Sequence, residues 1–183
     1  MLAFVAGAAA SGKSAWAESI AAALGGKKCY IATMEPFGQE AKARIQKHRD
    51  ARREKGFQTV EIYTGMAEKA ALLSYDTALL ECMTNWMANE MYSPSGAGKA
   101  ALEAVEKGLD ALSAAVPNLV VVSGDLFCEG LDYGPYTGEY LENLAAVNRW
   151  LASRADITAE ICCGIPIIHR QTKAGRDLLE KMA

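Results

Sequence analysis

Apolar residues run without a break from Leu2 to Ala6, a glycine-containing segment follows, and an alanine-rich stretch from Lys13 to Leu24 ends at Gly25-Gly26. This order predicts a buried strand, a loop over 7–12 and a helix stopped by glycine. A second strand, Lys28 to Ala32, leads into a polar helix from about Gln39 to Lys55, with Gly56 as its stop. Gln58 to Tyr63 alternates as a third strand, and Thr77 to Cys82 is a short apolar one. A helix rich in Met and Trp comes next, then a loop over Ser93 to Gly98 and a helix from Lys99 to Ala115. Asn118 to Ser123 is a further buried strand. Gly124 to Pro135 is rich in glycine and acids, Tyr136 to Arg154 is helical, and the last strands lie near Ile157 to Ile168. From Arg170 to Ala183 the pattern predicts an exposed terminal helix and a C-terminal extension over 170–183.

Strands that are continuously apolar, and that alternate with helices, predict an α/β fold: a mainly parallel sheet covered by helices on both faces. In such a sheet ligands bind at the carboxyl ends of the strands, so the loops after Ala6, Ala32, Tyr63, Cys82 and Ser123 should converge. The 183 residues fit one domain spanning 1–183. Nineteen Lys plus Arg against 22 Asp plus Glu leave a charge of -3, which gives no reason to expect nucleic acid or a membrane surface as partner. No apolar run reaches the about 18 residues of a membrane span, and the start lacks a basic leader, so a cytoplasmic protein is expected. The cysteines at 29, 82, 128, 162 and 163 form no CxxC pair or metal-ligand spacing and are expected to be reduced, buried thiols.

The loop before the first helix reads Gly7-Ala8-Ala9-Ala10-Ser11-Gly12-Lys13-Ser14, the complete GxxxxGKS pattern of a Walker A phosphate cradle. Its backbone N–H groups and the helix N-terminus suit phosphate oxygens. Lys13 is placed to reach the outer phosphates, and the Ser14 hydroxyl to bind Mg2+. A second acid at the end of a neighbouring strand usually completes such a magnesium site; Glu81 and Asp125 are the candidates, and Glu81 is preferred because it follows its apolar run directly.

Lys42 to Lys55 holds seven of the 19 basic residues and two acids. Arg44, His48 and Arg52 recur every four residues and share one helical face, with Lys55 close to it. Cations around a histidine disfavour its charged form, and a neutral imidazole is a nucleophile that could attack an alpha-phosphate. A solvated basic helix that happens to carry a histidine has the same spacing. His169 reads as surface structure.

The order of these motifs resembles the bifunctional adenosylcobinamide kinase and adenosylcobinamide-phosphate guanylyltransferase family of cobalamin biosynthesis. The resemblance covers nearly the whole chain and rests on Gly7 to Ser14, Tyr30-Ile-Ala-Thr33, Arg44-Ile45-x-x-His48-Arg49-x-x-Arg52, Thr59-Val-Glu61 and Leu79-Leu-Glu81-Cys-x-Thr84. It continues through Leu119 to Ser123, Val147-Asn148, Leu151-Ala-x-x-Ala-Asp156 and Gly164-Ile-Pro166. It implies a RecA-like P-loop fold and a two-step enzyme. A nucleoside triphosphate, ATP or GTP, phosphorylates adenosylcobinamide; GTP then guanylylates the histidine matched by His48, and the corrinoid phosphate takes the GMP. It also implies nucleotide contacts at Gly7 to Ser14, at Thr33, Met34 and Glu35, at Arg49 and Arg52, and at Glu61 and Glu81, with metal ligation by Ser14 and Glu81 and assembly as a homotrimer. The chain departs from the family at Ala8 and Ala10, where the loop usually carries Gly and Arg, at Gly124-Asp125-Leu-Phe, and in an Arg-Asp pair missing from the later helix. A kinase for another small alcohol and a diverged nucleotide-binding regulator are the alternative readings.

Overall fold

The computed structural model describes residues 1–36, 54–127 and 134–182. The strands are β1 (Leu2–Gly7), β2 (Lys28–Ala32), β3 (Phe57–Glu61), β4 (Thr77–Glu81), β5 (Asn118–Gly124), β6 (Ile157–Cys162) and β7 (Ile165–Gln171). They form one sheet in the order β3-β2-β4-β5-β1-β6-β7. Every neighbouring pair is parallel except β6 and β7, which run antiparallel. The expected mainly parallel sheet is therefore present, and the carboxyl ends of β1 to β6 share one edge.

The helices are α1 (Lys13–Leu24), α2 (Met66–Ala70), α3 (Met83–Tyr92), α4 (Ala101–Ala115), α5 (Pro135–Arg154) and α6 (Lys173–Met182). Two apolar clusters explain why the strands read as unbroken apolar runs. Phe4, Ile31, Leu80 and Val121 point to one face, where they meet Trp86, Leu109 and Leu144 of α3, α4 and α5. Ala3, Val5, Leu79, Val120 and Val122 point to the other, against Ala17 and Ile20 of α1 and Leu178 of α6. A strand buried on both faces has no polar alternation to display.

Two expectations need correction, and one helix stands where the sequence pattern assigned no element. Met66–Ala70 is helical, a unit too short for a 3.6-residue period to be read. The terminal helix is exposed on one side only: Gly175 and Leu178 are buried, and a side chain at Gly175 would lie 2.5 Å from the Asp156 carbonyl. Asp156 ties this end of the chain together, accepting from Leu2 N–H at 2.9 Å and from the Thr172 hydroxyl at 2.9 Å. The thiols are not uniformly buried. Cys29 is, and burial pushes it up to about 12, whereas Cys162 and Cys163 are exposed because they end β6 and enter the turn to β7. Cys128 lies outside the described residues.

Close helix packing at α4 is set by Gly108, where a Cβ would come 2.6 Å from Trp86 Cζ2 and 2.9 Å from Met66 Cβ. Both neighbours are buried and cannot retreat. Gly108→Val should lower unfolding free energy by about 1–3 kcal/mol, the usual cost of overpacking, read as a lower urea midpoint at unchanged slope.

Candidate phosphate site at the strand ends

The loop between β1 and α1 is shaped by backbone contacts. Gly12 turns it at φ 93, a left-handed conformation that side chains resist, and α1 then starts with no side-chain cap and no acid in its first turn. Free N–H groups and a positive dipole end therefore face the loop, an arrangement that suits an anion. Two elements from distant parts of the chain hold it. Asp125 N–H donates to the Gly7 carbonyl at 3.0 Å, and Gly164 N–H donates to the Ser11 carbonyl at 2.8 Å. Gly164 sits with Cys163 in the β6–β7 turn, both at positive φ, as a two-residue hairpin turn requires. Ala10 also adopts φ 57, so the position where the family has Arg is a strained alanine here.

Lys13 is folded back, its Nζ donating to the Ala8 carbonyl at 3.0 Å. The Ser14 hydroxyl donates to Glu81 Oε1, which brings together one residue from the start of α1 and one from the end of β4 across the intervening β5. Hydroxyl and carboxylate oxygens are the donor types that Mg2+ prefers. Among the described residues no cluster of three or more His, Cys, Asp or Glu could hold a metal. Of the two acids considered, Glu81 contacts Ser14, whereas Asp125 meets the loop through its backbone.

Thr33 is buried, and its hydroxyl accepts from Cys82 N–H at 2.7 Å and donates to the Cys82 carbonyl at 2.8 Å, latching β2 to the end of β4. Asn89 of α3 fixes the same rim by donating to the Thr33 and Tyr63 carbonyls at 2.7 and 3.1 Å. Met34 is exposed, and Glu35 accepts from the Ser93 hydroxyl at 3.0 Å. Glu61 ends the edge strand β3, exposed and in register with Ala32, which has Glu81 on its other side. Tyr140 donates to the Thr84 carbonyl at 3.1 Å; burial, with smaller contributions from Cys82 and Tyr92, pushes it up to about 12, so it stays a donor. Arg44, His48, Arg49 and Arg52 lie outside the described residues. Lys55, just after them, pairs with Glu18 of α1. His169 is half exposed and pairs with Glu160 at 3.1 Å.

The structure thus gathers Gly7 to Ser14, Thr33 and Glu81 at one edge. The sequence did not reveal Asn89, the Asp125 backbone or the Gly164 turn as supports. Only the last carried a visible signal, a glycine between two strands.

Fold and loop together define a P-loop protein of the RecA-like kind. Similar solved structures include a KaiC-like protein from Pyrococcus horikoshii, at 8% identity and TM-score 0.52, covering 94% of this chain and 79% of that one. Another is the RadB recombinase, at 16% identity and TM-score 0.50, covering 94% and 81%. No curated protein matches the chain by sequence. The family model for cobinamide kinase / cobinamide phosphate guanyltransferase matches residues 3–168, and the chain belongs to that family of transferases of cobalamin biosynthesis.

Proposed function

We propose that the protein phosphorylates adenosylcobinamide with a nucleoside triphosphate and then, through a guanylylated His48, transfers GMP from GTP to adenosylcobinamide phosphate, giving adenosylcobinamide-GDP. The observation that carries the reading is the Ser14–Glu81 contact beneath an uncapped, acid-free helix start. Phosphate oxygens take the N–H groups of Gly7 to Ser14, and Lys13 leaves the Ala8 carbonyl for the outer phosphates. Ser14 and Glu81 would hold Mg2+, which supplies charge neutralisation of the polyphosphate. His48 Nε2 or Nδ1 attacks the alpha-phosphate and pyrophosphate leaves; Arg49 and Arg52 offset the charge that develops.

Incubation with alpha-labelled GTP and magnesium should label the chain covalently, with the acid lability and alkali stability of a phosphoramidate. Equal labelling of His48→Ala would remove the nucleophile, and gamma-phosphate transfer without bound GMP would favour a kinase of another alcohol. Turnover of adenosylcobinamide excludes a non-catalytic regulator. A homotrimer is part of the proposal. β7 is exposed along its whole length and carries Ile165, Ile167 and Ile168, an apolar edge suited to a second copy. A monomer in sedimentation velocity at micromolar concentration would overturn it.

A further inference from the structure

On the face of the sheet covered by α5, a cleft of about 290 Å³ opens between that helix and β1, β6 and β7. Phe4, Ala6, Ala152 and Ala159 are among the apolar residues that line it, and Phe127 stands at its mouth, 42% exposed. Its upper end is the strand-end edge itself. Asp125 lines the cleft and, through its N–H, is bonded to the Gly7 carbonyl of the phosphate loop at 3.0 Å. Asn148 lines it too, and Asn148 Oδ1 is buried with no hydrogen-bond partner. An unpaired buried acceptor costs about 1–3 kcal/mol, which a ligand N–H or O–H would recover.

We propose that this cleft is the acceptor site: it takes an amide-bearing arm of the corrinoid, with Asn148 Oδ1 accepting from the arm and the apolar wall packing its methylene and methyl groups. The inference rests on the cobinamide reading above. The volume is too small for a corrin ring, so the macrocycle stays outside, against Phe127. Nucleotide is the less suitable occupant: Arg149 and His169 line the cleft together with Asp125 and Glu160, and His169 pairs with Glu160 at 3.1 Å, so the lining has no net positive charge to hold a second polyphosphate. The shared Asp125 places the arm at the same sheet edge as the phosphate loop, which transfer to a hydroxyl requires.

The test is a spectrophotometric titration of adenosylcobinamide into protein saturated with a non-hydrolysable GTP analogue. Ala152→Trp fills the cleft and should weaken corrinoid binding at least about tenfold, with nucleotide affinity within about twofold of wild type. Phe127→Ala, on an exposed residue that the fold does not need, should weaken it about threefold to tenfold and serves if the tryptophan variant misfolds. Wild-type corrinoid affinity in both variants overturns the proposal. So does loss of affinity that accompanies a changed sedimentation coefficient, which would make the cleft a contact between copies. If the wild-type protein itself binds no corrinoid, the cobinamide reading fails, and this inference with it.

Discussion

Lys13→Ala will lower both transfers, gamma-phosphate to adenosylcobinamide and GMP to the enzyme, by about a hundred- to a thousand-fold in kcat, the usual loss when one preorganised donor to a developing charge is removed. Both should fall together because the proposed function runs both reactions on the same loop. In the structure Lys13 makes one hydrogen bond, to the Ala8 carbonyl of a solvent-facing loop. Its removal should therefore leave thermal stability within about 0.5 kcal/mol of wild type. The measurement is single-turnover kinetics with gamma- and alpha-labelled GTP in parallel, alongside a urea melt. Loss of one transfer with full retention of the other would mean that the two reactions do not share a phosphate site.

Glu81→Gln is the second large effect, and it isolates charge from shape. Glutamine retains an oxygen able to accept from the Ser14 hydroxyl, so the contact that joins α1 to β4 survives. What is lost is the negative charge that the proposed function sets against a divalent cation. Activity at saturating magnesium should fall about a hundredfold, and the magnesium concentration at half-maximal rate should rise, while the nucleotide-free melting temperature is unchanged. Asp125→Asn offers the contrast, since Asp125 meets the loop through its N–H, which the substitution retains. An unaltered magnesium dependence in Glu81→Gln would dismiss Glu81 as a metal ligand.

The parts of the candidate site that the sequence suggests are those whose chemistry would be carried by side chains. Gly12, Lys13 and Ser14 announce themselves by type and spacing, and Glu81 by standing directly after a run that the sheet buries on both faces. The strands were readable for the same reason: Val121 faces α3 to α5 while Val120 and Val122 face α1, so neither neighbour could be polar. The supports of the loop were not legible, because they are N–H and C=O groups that every residue possesses. Which ones meet is a matter of sheet order, and only the structure places Asp125 and Gly164 on either side of Gly7 and Ser11. The short α2 and the inward face of α6 were missed because five residues, and one buried leucine beside a glycine, make too little pattern.

The central place of β1 has a temporal side. Its two partners are β5 and β6, both far later in the sequence, so during synthesis β1 is paired only after residues beyond 118 and 157 have emerged. Contacts so far apart in sequence form late. The turn that braces Ser11 comes later still, at Gly164. A growing chain therefore carries the GKS residues long before it has a place to put a phosphate. Competence to grip a phosphate should therefore arrive as one of the last events of folding.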